Sequence, residues 1–247
     1  MGADIQEMKI AYIMNCLDKS EITPHTTRHN FESSNYPIDY SIFTDNGSRE
    51  KHIKEFVEGF ATHPIFNDEN VGNPQALNNA MRMAFEELEC DAVLIMGNDL
   101  VMREGWLDAA VRAYQGIKST GIIGWSWRGT GTSHQMRGFN LNIVSEAERI
   151  FGSWFIPRTT WEKCGYFSEF SKYGCWDSTY NVQVNAAGLL RYYLVDYPSI
   201  HNATNDTGWY RNMKDEELRK GSEGNLNRIE EIKKTKKHYV SIDGILR

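Results

Sequence analysis

Hydrophobic period switches back and forth between strand and helix spacing along the first hundred residues, and that alternation limits the architectures open to the chain. Residues 8–15, MKIAYIMN, form a β-rich apolar run suited to a central strand. After a break at Pro24, residues 26–34 suit a helix. Residues 38–48, IDYSIFTDNGS, read as a second strand ending in the turn residues Asp45, Asn46 and Gly47. In residues 49–60, Ile53, Phe56, Val57 and Phe60 share one helical face. Asn73 then reads as an N-cap with Pro74 in the first turn. Ala76, Leu77, Ala80, Met81, Ala84, Phe85 and Leu88 recur at helical spacing up to the strand DAVLIM. Strand, helix, strand, helix, strand is the signature of a parallel, Rossmann-like sheet.

In such sheets ligands bind beyond the carboxyl ends of the strands. Asp45 and Asp99 both fall just past a strand end, Asp99 within VLIMGNDLV. Two readings fit Asp99: a loop cap of the ordinary kind, or a ligand for a metal and a phosphate. Further on, residues 105–115 read as a helix, 120–129 as a strand and turn, and 129–138 as a Gly-rich loop. Residues 149–167 and 188–202 each carry a strand, and the remainder is charged and mostly helical.

Composition removes several classes. A net charge of −6 argues against bulk binding to nucleic acid. The stretch Arg211 to Tyr239 runs the other way, with nine Lys/Arg against six Asp/Glu, and suits a mixed-sign helix face or a docking surface for an anionic acceptor or membrane. No apolar run reaches the length of a membrane span, and MGADIQEM has the form of no signal peptide. Cys16, Cys90, Cys164 and Cys175 lie far apart with no CxxC pair, which reads as reduced thiols in a cytoplasmic protein.

Four blocks, in order, resemble family 2 glycosyltransferases of the GT-A fold. They are FTDNGSRE, then NVGNPQALNNA with Asn70, Gly72, Ala76 and Asn78 in register, then VLIMGNDLVMREGWL, then GSWFIPRTTWEKCGYFSEFSKYGCWD. The resemblance covers roughly residues 8–200 and implies an α/β GT-A fold: a mostly parallel mixed sheet flanked by helices, with a charged helical C-terminal extension. It implies a transferase domain over 1–205, with a nucleotide-sugar half to about 105 and an acceptor half from 106, and an extension over 206–247.

The same resemblance assigns roles. Asp45 would hold the nucleobase, with Asn70, Gly72, Asn78, Asn98, Asp99 and Arg158 as further donor-binding residues. Asp99 and His201 would hold Mn²⁺ or Mg²⁺, hard cations that share their sites with substrate phosphates. Asp177 would be the base that deprotonates the acceptor hydroxyl, opposite the leaving diphosphate. The pattern departs from the family twice: Gly97 stands where a DxD motif has its first Asp, and Trp176 stands where the acidic pair has its Glu. Ordinary readings stay open beside these roles: a helix N-cap for Asp177, a solvated strand-edge residue for Arg158, and a lone histidine with its bonds satisfied for His201. Trp125, Trp127 and Trp154 suit either a sugar platform or core packing.

The expected activity is transfer of one sugar, inverting and metal-assisted, from a nucleotide-sugar donor, by family frequency a UDP-sugar. The acceptor would be a saccharide or envelope component, with a modified DNA base as the alternative. A nucleotide-sugar-binding protein without turnover is the first rival. A nucleotidyltransferase is the second, and NCLDKSEITPH lacks the Gly-rich loop that class uses after its first strand.

Overall fold

The computed structural model describes residues 6–117, 119–125, 127–128, 132–136, 141–145, 149–150, 152–201, 216, 226–232 and 234. Its first half contains β1 (Ile10–Cys16), α1 (Thr23–Glu32), β2 (Tyr40–Asn46), α2 (Lys51–Phe60), β3 (His63–Asn67) and α3 (Asn73–Arg82). A π-helical turn, Met83–Glu87, extends α3 and leads to β4 (Ala92–Met96), β5 (Leu100–Val101) and α4 (Trp106–Gly116). The second half contains β6 (Thr120–Gly124), β7 (Trp127–Arg128), β8 (Thr132–Met136), β9 (Leu141–Ser145), β10 (Arg149–Ile150) and β11 (Ser153–Pro157). Then follow α5 (Arg158–Cys164), α6 (Trp176–Ala186), β12 (Leu190–Leu194) and β13 (Ile200–His201). In the C-terminal stretch, residues 216, 226–232 and 234 are helical.

Nine strands form one sheet in the order β3-β2-β1-β4-β11-β6-β12-β9-β8. The first four are mutually parallel, whereas β11 runs antiparallel to both β4 and β6. Alternate residues of β1 show why the central strands are apolar throughout. Ile10, Tyr12 and Met14 face a core shared with Phe43, Ile53, Val57, Trp106 and Leu107. Ala11 and Ile13 face the other core, with Leu77, Ala80, Met81 and Phe85 of the α3 region. A parallel strand buried on both faces needs apolar residues at every position. Each fully buried Leu, Ile or Phe contributes roughly 1.5–3 kcal/mol.

Several boundaries differ from the sequence expectation, each for a local reason. Pro24 sits in the first turn of α1 and starts the helix three residues earlier than the break implied. Gly72, not Asn73, occupies the N-cap of α3, because its φ of +100° is closed to most side chains. The edge strand β3 was hidden by Pro64 and by its exposed Phe66, both tolerated at a sheet edge. Residues 132–136, read as loop from their polarity, form β8, the other edge strand, paired antiparallel with β9. Among the described residues, no helix is long and apolar enough to cross a membrane.

Candidate active site

The chain runs outward from β1 through β2 to β3, then crosses back to place β4 on the other side of β1. That reversal is a topological switch point, where the connections leave in opposite directions and open a crevice. A cavity of about 250 Å³ lies there, lined by Asn15 of β1, Lys19, Asn73 of α3, the Gly97–Asp99 turn after β4, and Tyr173 and Trp176.

Asp99 is buried in this wall, 7% exposed. Its Oδ2 accepts a bond of 2.9 Å from the Lys19 ammonium. The turn that carries it is braced from α1: the Asn98 carbonyl accepts from Thr26 Oγ1 at 2.8 Å, and Asn98 Nδ2 donates to Thr23 Oγ1 at 3.1 Å. At Gly97 a Cβ would lie 3.3 Å from Asp99 Oδ1 and 3.2 Å from the Leu100 side chain. The absence of a side chain at 97 therefore leaves Asp99 Oδ1 uncrowded.

Lys19 was not singled out from the sequence, and its loop is strongly built. Asp18 and Lys19 both have left-handed backbone, φ 53° and 67°. Asp18 Oδ1 accepts from the Arg49 and Glu50 amides at 2.8 and 3.1 Å. In return, the Glu50 carboxylate accepts from the Lys19 and Ser20 amides at 3.3 and 2.8 Å. Hydrogen bonding from Ser20, its side chain first, holds the Glu50 carboxyl below the ordinary carboxylate range. The available signal was a lysine in the loop after the first strand of a Rossmann-like pattern, where phosphate-binding loops occur.

Asp45 is the last residue but one of β2, inside the strand and not just past its end as the sequence suggested. It is in register with Cys16, is 5% exposed, and accepts from the Ser48 amide at 3.0 Å through Oδ1. Burial, and secondly the Asp45 charge, push the Cys16 thiol well above its usual range, so it stays protonated. Beside Asp45, Asn46 Oδ1 accepts from Asn67 Nδ2 and the Val71 amide, while its Nδ2 donates to Asn70 Oδ1 at 3.1 Å. Asn70 Oδ1 also accepts from the Gly72 amide, so this asparagine shapes the turn into α3. Asn15 Nδ2 donates to Asn73 Oδ1 at 2.8 Å, and Asn15 Oδ1 is a buried acceptor with no partner among the described residues.

Two residues expected to contact the donor are committed elsewhere. Asn78 is 3% exposed; its Nδ2 donates to the Phe167 carbonyl at 2.9 Å and to Glu169, and its Oδ1 accepts from the Phe167 amide. It staples α3 to the segment after α5. Arg158 stands at the start of α5, next to the residue that pairs with Ala92 at the amino end of β4. Its guanidinium donates to the Cys90 and Phe85 carbonyls at 2.9 and 2.6 Å and lies over the Phe85 and Trp161 rings. This is the opposite end of the strand from Asp99, and Arg158 is a helix and turn cap here.

Asp177 lies in the first turn of α6, following Cys175 (φ 59°) and Trp176. Its Oδ1 accepts from the Ser178 amide at 2.7 Å and from Ser178 Oγ at 3.2 Å. Trp176 lines the cavity and packs on Trp154 and Phe167. Trp125 and Trp154 are 1% and 0% exposed and belong to the core, which removes them as a sugar platform. The Trp127 side chain lies outside the described residues. The β13 backbone pairs with β5 so that His201 stands opposite Leu100, the residue after Asp99; its side chain is not among those described.

Among the described residues no group of three His, Cys, Asp or Glu stands ready for a metal. The donor set that is present still suits one: a buried carboxylate on a cavity wall that already holds a cation, with an oxygen left uncrowded by Gly97. Mg²⁺-like ions are commonly held by one or two carboxylates, the rest of the shell coming from water and substrate phosphate.

A mixed sheet with its cavity at the β1–β4 switch point is the GT-A glycosyltransferase architecture. The chain belongs to glycosyl transferase family 2, whose family model matches residues 16–193. Among solved structures it is similar to the mannosyltransferase PcManGT from Pyrobaculum calidifontis, in complex with GDP-Man and Mn²⁺. That match has a TM-score of 0.64 and 16% identity, covering 90% of this chain and 65% of the other. It is also similar to GalNAc-T7 with UDP, GalNAc and Mn²⁺, with a TM-score of 0.60 and 10% identity, covering 80% of this chain and 44% of the other. The chain thus spans less than two thirds of the length of either. No curated protein matches.

Proposed function

We propose that the protein transfers a single sugar from a nucleotide-sugar donor to an acceptor hydroxyl, with inversion and with help from Mn²⁺ or Mg²⁺. The observation that carries this reading is the buried Asp99, facing a cation across a cavity at the switch point of a family 2 sheet. Both similar structures hold a nucleotide with Mn²⁺, in one case GDP-Man and in the other UDP. A UDP-sugar remains our proposed donor. Residues 1–205 form the transferase domain in this reading and 206–247 an extension. A cytoplasmic site of action follows from the cysteine spacing.

Each residue's task follows from its place. Asp45 and the Asn46–Asn70 network fix the nucleoside, so that the anomeric carbon meets the acceptor already oriented. Asp99, with His201, would hold the metal, which when bound would supply positive charge to offset that building on the leaving diphosphate. Asp177 takes the proton of the acceptor hydroxyl as the new carbon–oxygen bond forms and the bond to the diphosphate oxygen breaks. Trp176 excludes water from the cavity and presents an aromatic face to sugar. The acceptor in this reading is a saccharide or envelope component; the basic stretch 211–239 is the feature that favours DNA instead.

Calorimetric titration with UDP, GDP and CDP, with and without Mn²⁺, tests the donor site. One nucleotide binds in a metal-dependent way to the wild type and loses that binding in Asp99→Ala; silence toward all three overturns the reading. Gly97 and Trp176, in place of two family carboxylates, favour the second reading, a binding protein without turnover. Donor consumption by the wild type that disappears in Asp177→Asn excludes it.

A further inference from the structure

The cation at Asp99 belongs to the chain itself. Side-chain exposures of 16% for Lys19 and 10% for Asp99 make this a largely desolvated pair, in which attraction is far stronger than at an open surface. Removing one partner of such a pair leaves an uncompensated charge, which is strongly unfavourable. A divalent ion that takes Asp99 therefore displaces the ammonium within the same cavity. Lys19 and Asp99 both line that cavity, and a donor diphosphate is an anion of the right kind to enter it. We propose that Lys19 is an exchangeable counter-ion: it holds Asp99 while the site is empty, and moves to the donor diphosphate when a divalent ion replaces it.

This inference rests on the glycosyltransferase reading and adds a residue and an order to it. Charge balance gives the order. The resting pair is neutral. A divalent ion alone brings two positive charges against a carboxylate already satisfied, and a diphosphate alone draws Lys19 away from Asp99. Arriving together, the ion and a doubly charged diphosphate add no net charge to the cavity. Metal and donor therefore bind with positive coupling, each raising the affinity of the other by the same factor.

The loop is built to aim the ammonium. The reciprocal Asp18 and Glu50 clamps fix the backbone on both sides of Lys19. The left-handed conformation at Asp18 and Lys19 is uncommon for such residues and persists only where surroundings impose it. With its stem so held, the side chain needs only rotamer changes to exchange partners.

The test follows free Mn²⁺ by electron paramagnetic resonance and nucleoside diphosphate binding by calorimetry, on wild type, Lys19→Gln and Lys19→Arg. In wild type, Mn²⁺ alone binds weakly and UDP or GDP strengthens it. In Lys19→Gln, Mn²⁺ alone binds tighter than in wild type, because the ammonium no longer competes for Asp99. The same variant binds the metal-free nucleotide on the order of tenfold more weakly, the loss expected for one charge-assisted hydrogen bond. Lys19→Arg keeps the charge and stays near wild type in both titrations. Unchanged or weaker Mn²⁺ binding in Lys19→Gln overturns the exchange. Absence of positive coupling in wild type also overturns it, with no variant needed. If wild type binds no nucleoside diphosphate under any condition, the glycosyltransferase reading falls too; if it binds one and Lys19→Gln is indistinguishable, only the role of Lys19 falls.

Discussion

At Gly97 the missing side chain matters as much as the neighbouring carboxylate. A Cβ there meets Asp99 Oδ1 at 3.3 Å and Leu100 at 3.2 Å, so a carboxylate at 97 crowds the existing one. Gly97→Asp should lower metal-free stability by about 1–2 kcal/mol, through like-charge repulsion and steric strain. Mn²⁺ should recover that loss, giving a larger rise in Tm than in wild type; equal rises in both proteins would mean that the added carboxylate does not reach the ion. Asn78 gives the opposite kind of prediction. Its amide satisfies both backbone groups of Phe167 from within the core. Asn78→Ala should cost about 2–4 kcal/mol in denaturant unfolding, since two buried polar groups lose their partner. Metal-free nucleotide affinity should change little, which separates a staple from a donor ligand.

Elements translate these contacts into a site, and here the sequence was legible to different depths. Strand alternation and the face of α3 could be read because burial imposes a period. The strand ends at Asp45 and Asp99 could be read because apolar runs stop in turn residues. Arg158 could not, because its partners are the carbonyls of Cys90 and Phe85, and only the fold brings them together. Lys19 had only its place in the loop after β1 to mark it: the residues that aim it, Glu50 and the Arg49 amide, lie about thirty positions on, and only the fold brings them together. The clamp also titrates. Glu50 is held below its ordinary value of 4.5, so its contribution to stability is complete above that value and is lost as pH falls through its lower folded one. Limited proteolysis should therefore find the loop at 17–22 opening on acidification below about pH 4.5, and at neutral pH in Glu50→Gln. Protection unchanged in both would show that Asp18 alone holds the loop. At the entry to α3, Gly72 has φ +100° and a Cβ would meet Lys172 Cα at 2.8 Å. Gly72→Ala should destabilise by about 1–3 kcal/mol and separate α3 from the 171–175 segment.

Across the whole molecule, the cysteines sample both cores and the start of α6. Cys16 and Cys90 sit at the two ends of the parallel strands and Cys164 closes α5, all fully buried, whereas Cys175 is half-buried at the start of α6. Burial pushes the thiols of Cys90 and Cys164 up to about 12 and that of Cys16 higher still. At pH 8 they hold almost no thiolate, and thiolate is the species that reacts. Iodoacetamide on the native protein should give one early adduct, at Cys175, with the other three following only at the rate of unfolding; mass spectrometry of timed digests reads this directly. Because Trp176 is the next residue and lines the cavity, nucleotide with Mn²⁺ should slow the Cys175 adduct by covering it and the other three by raising global stability. Early modification at Cys90 or Cys164 would mean that the sheet opens locally at its amino end, and that the Arg158 cap there is weaker than its two carbonyl bonds imply.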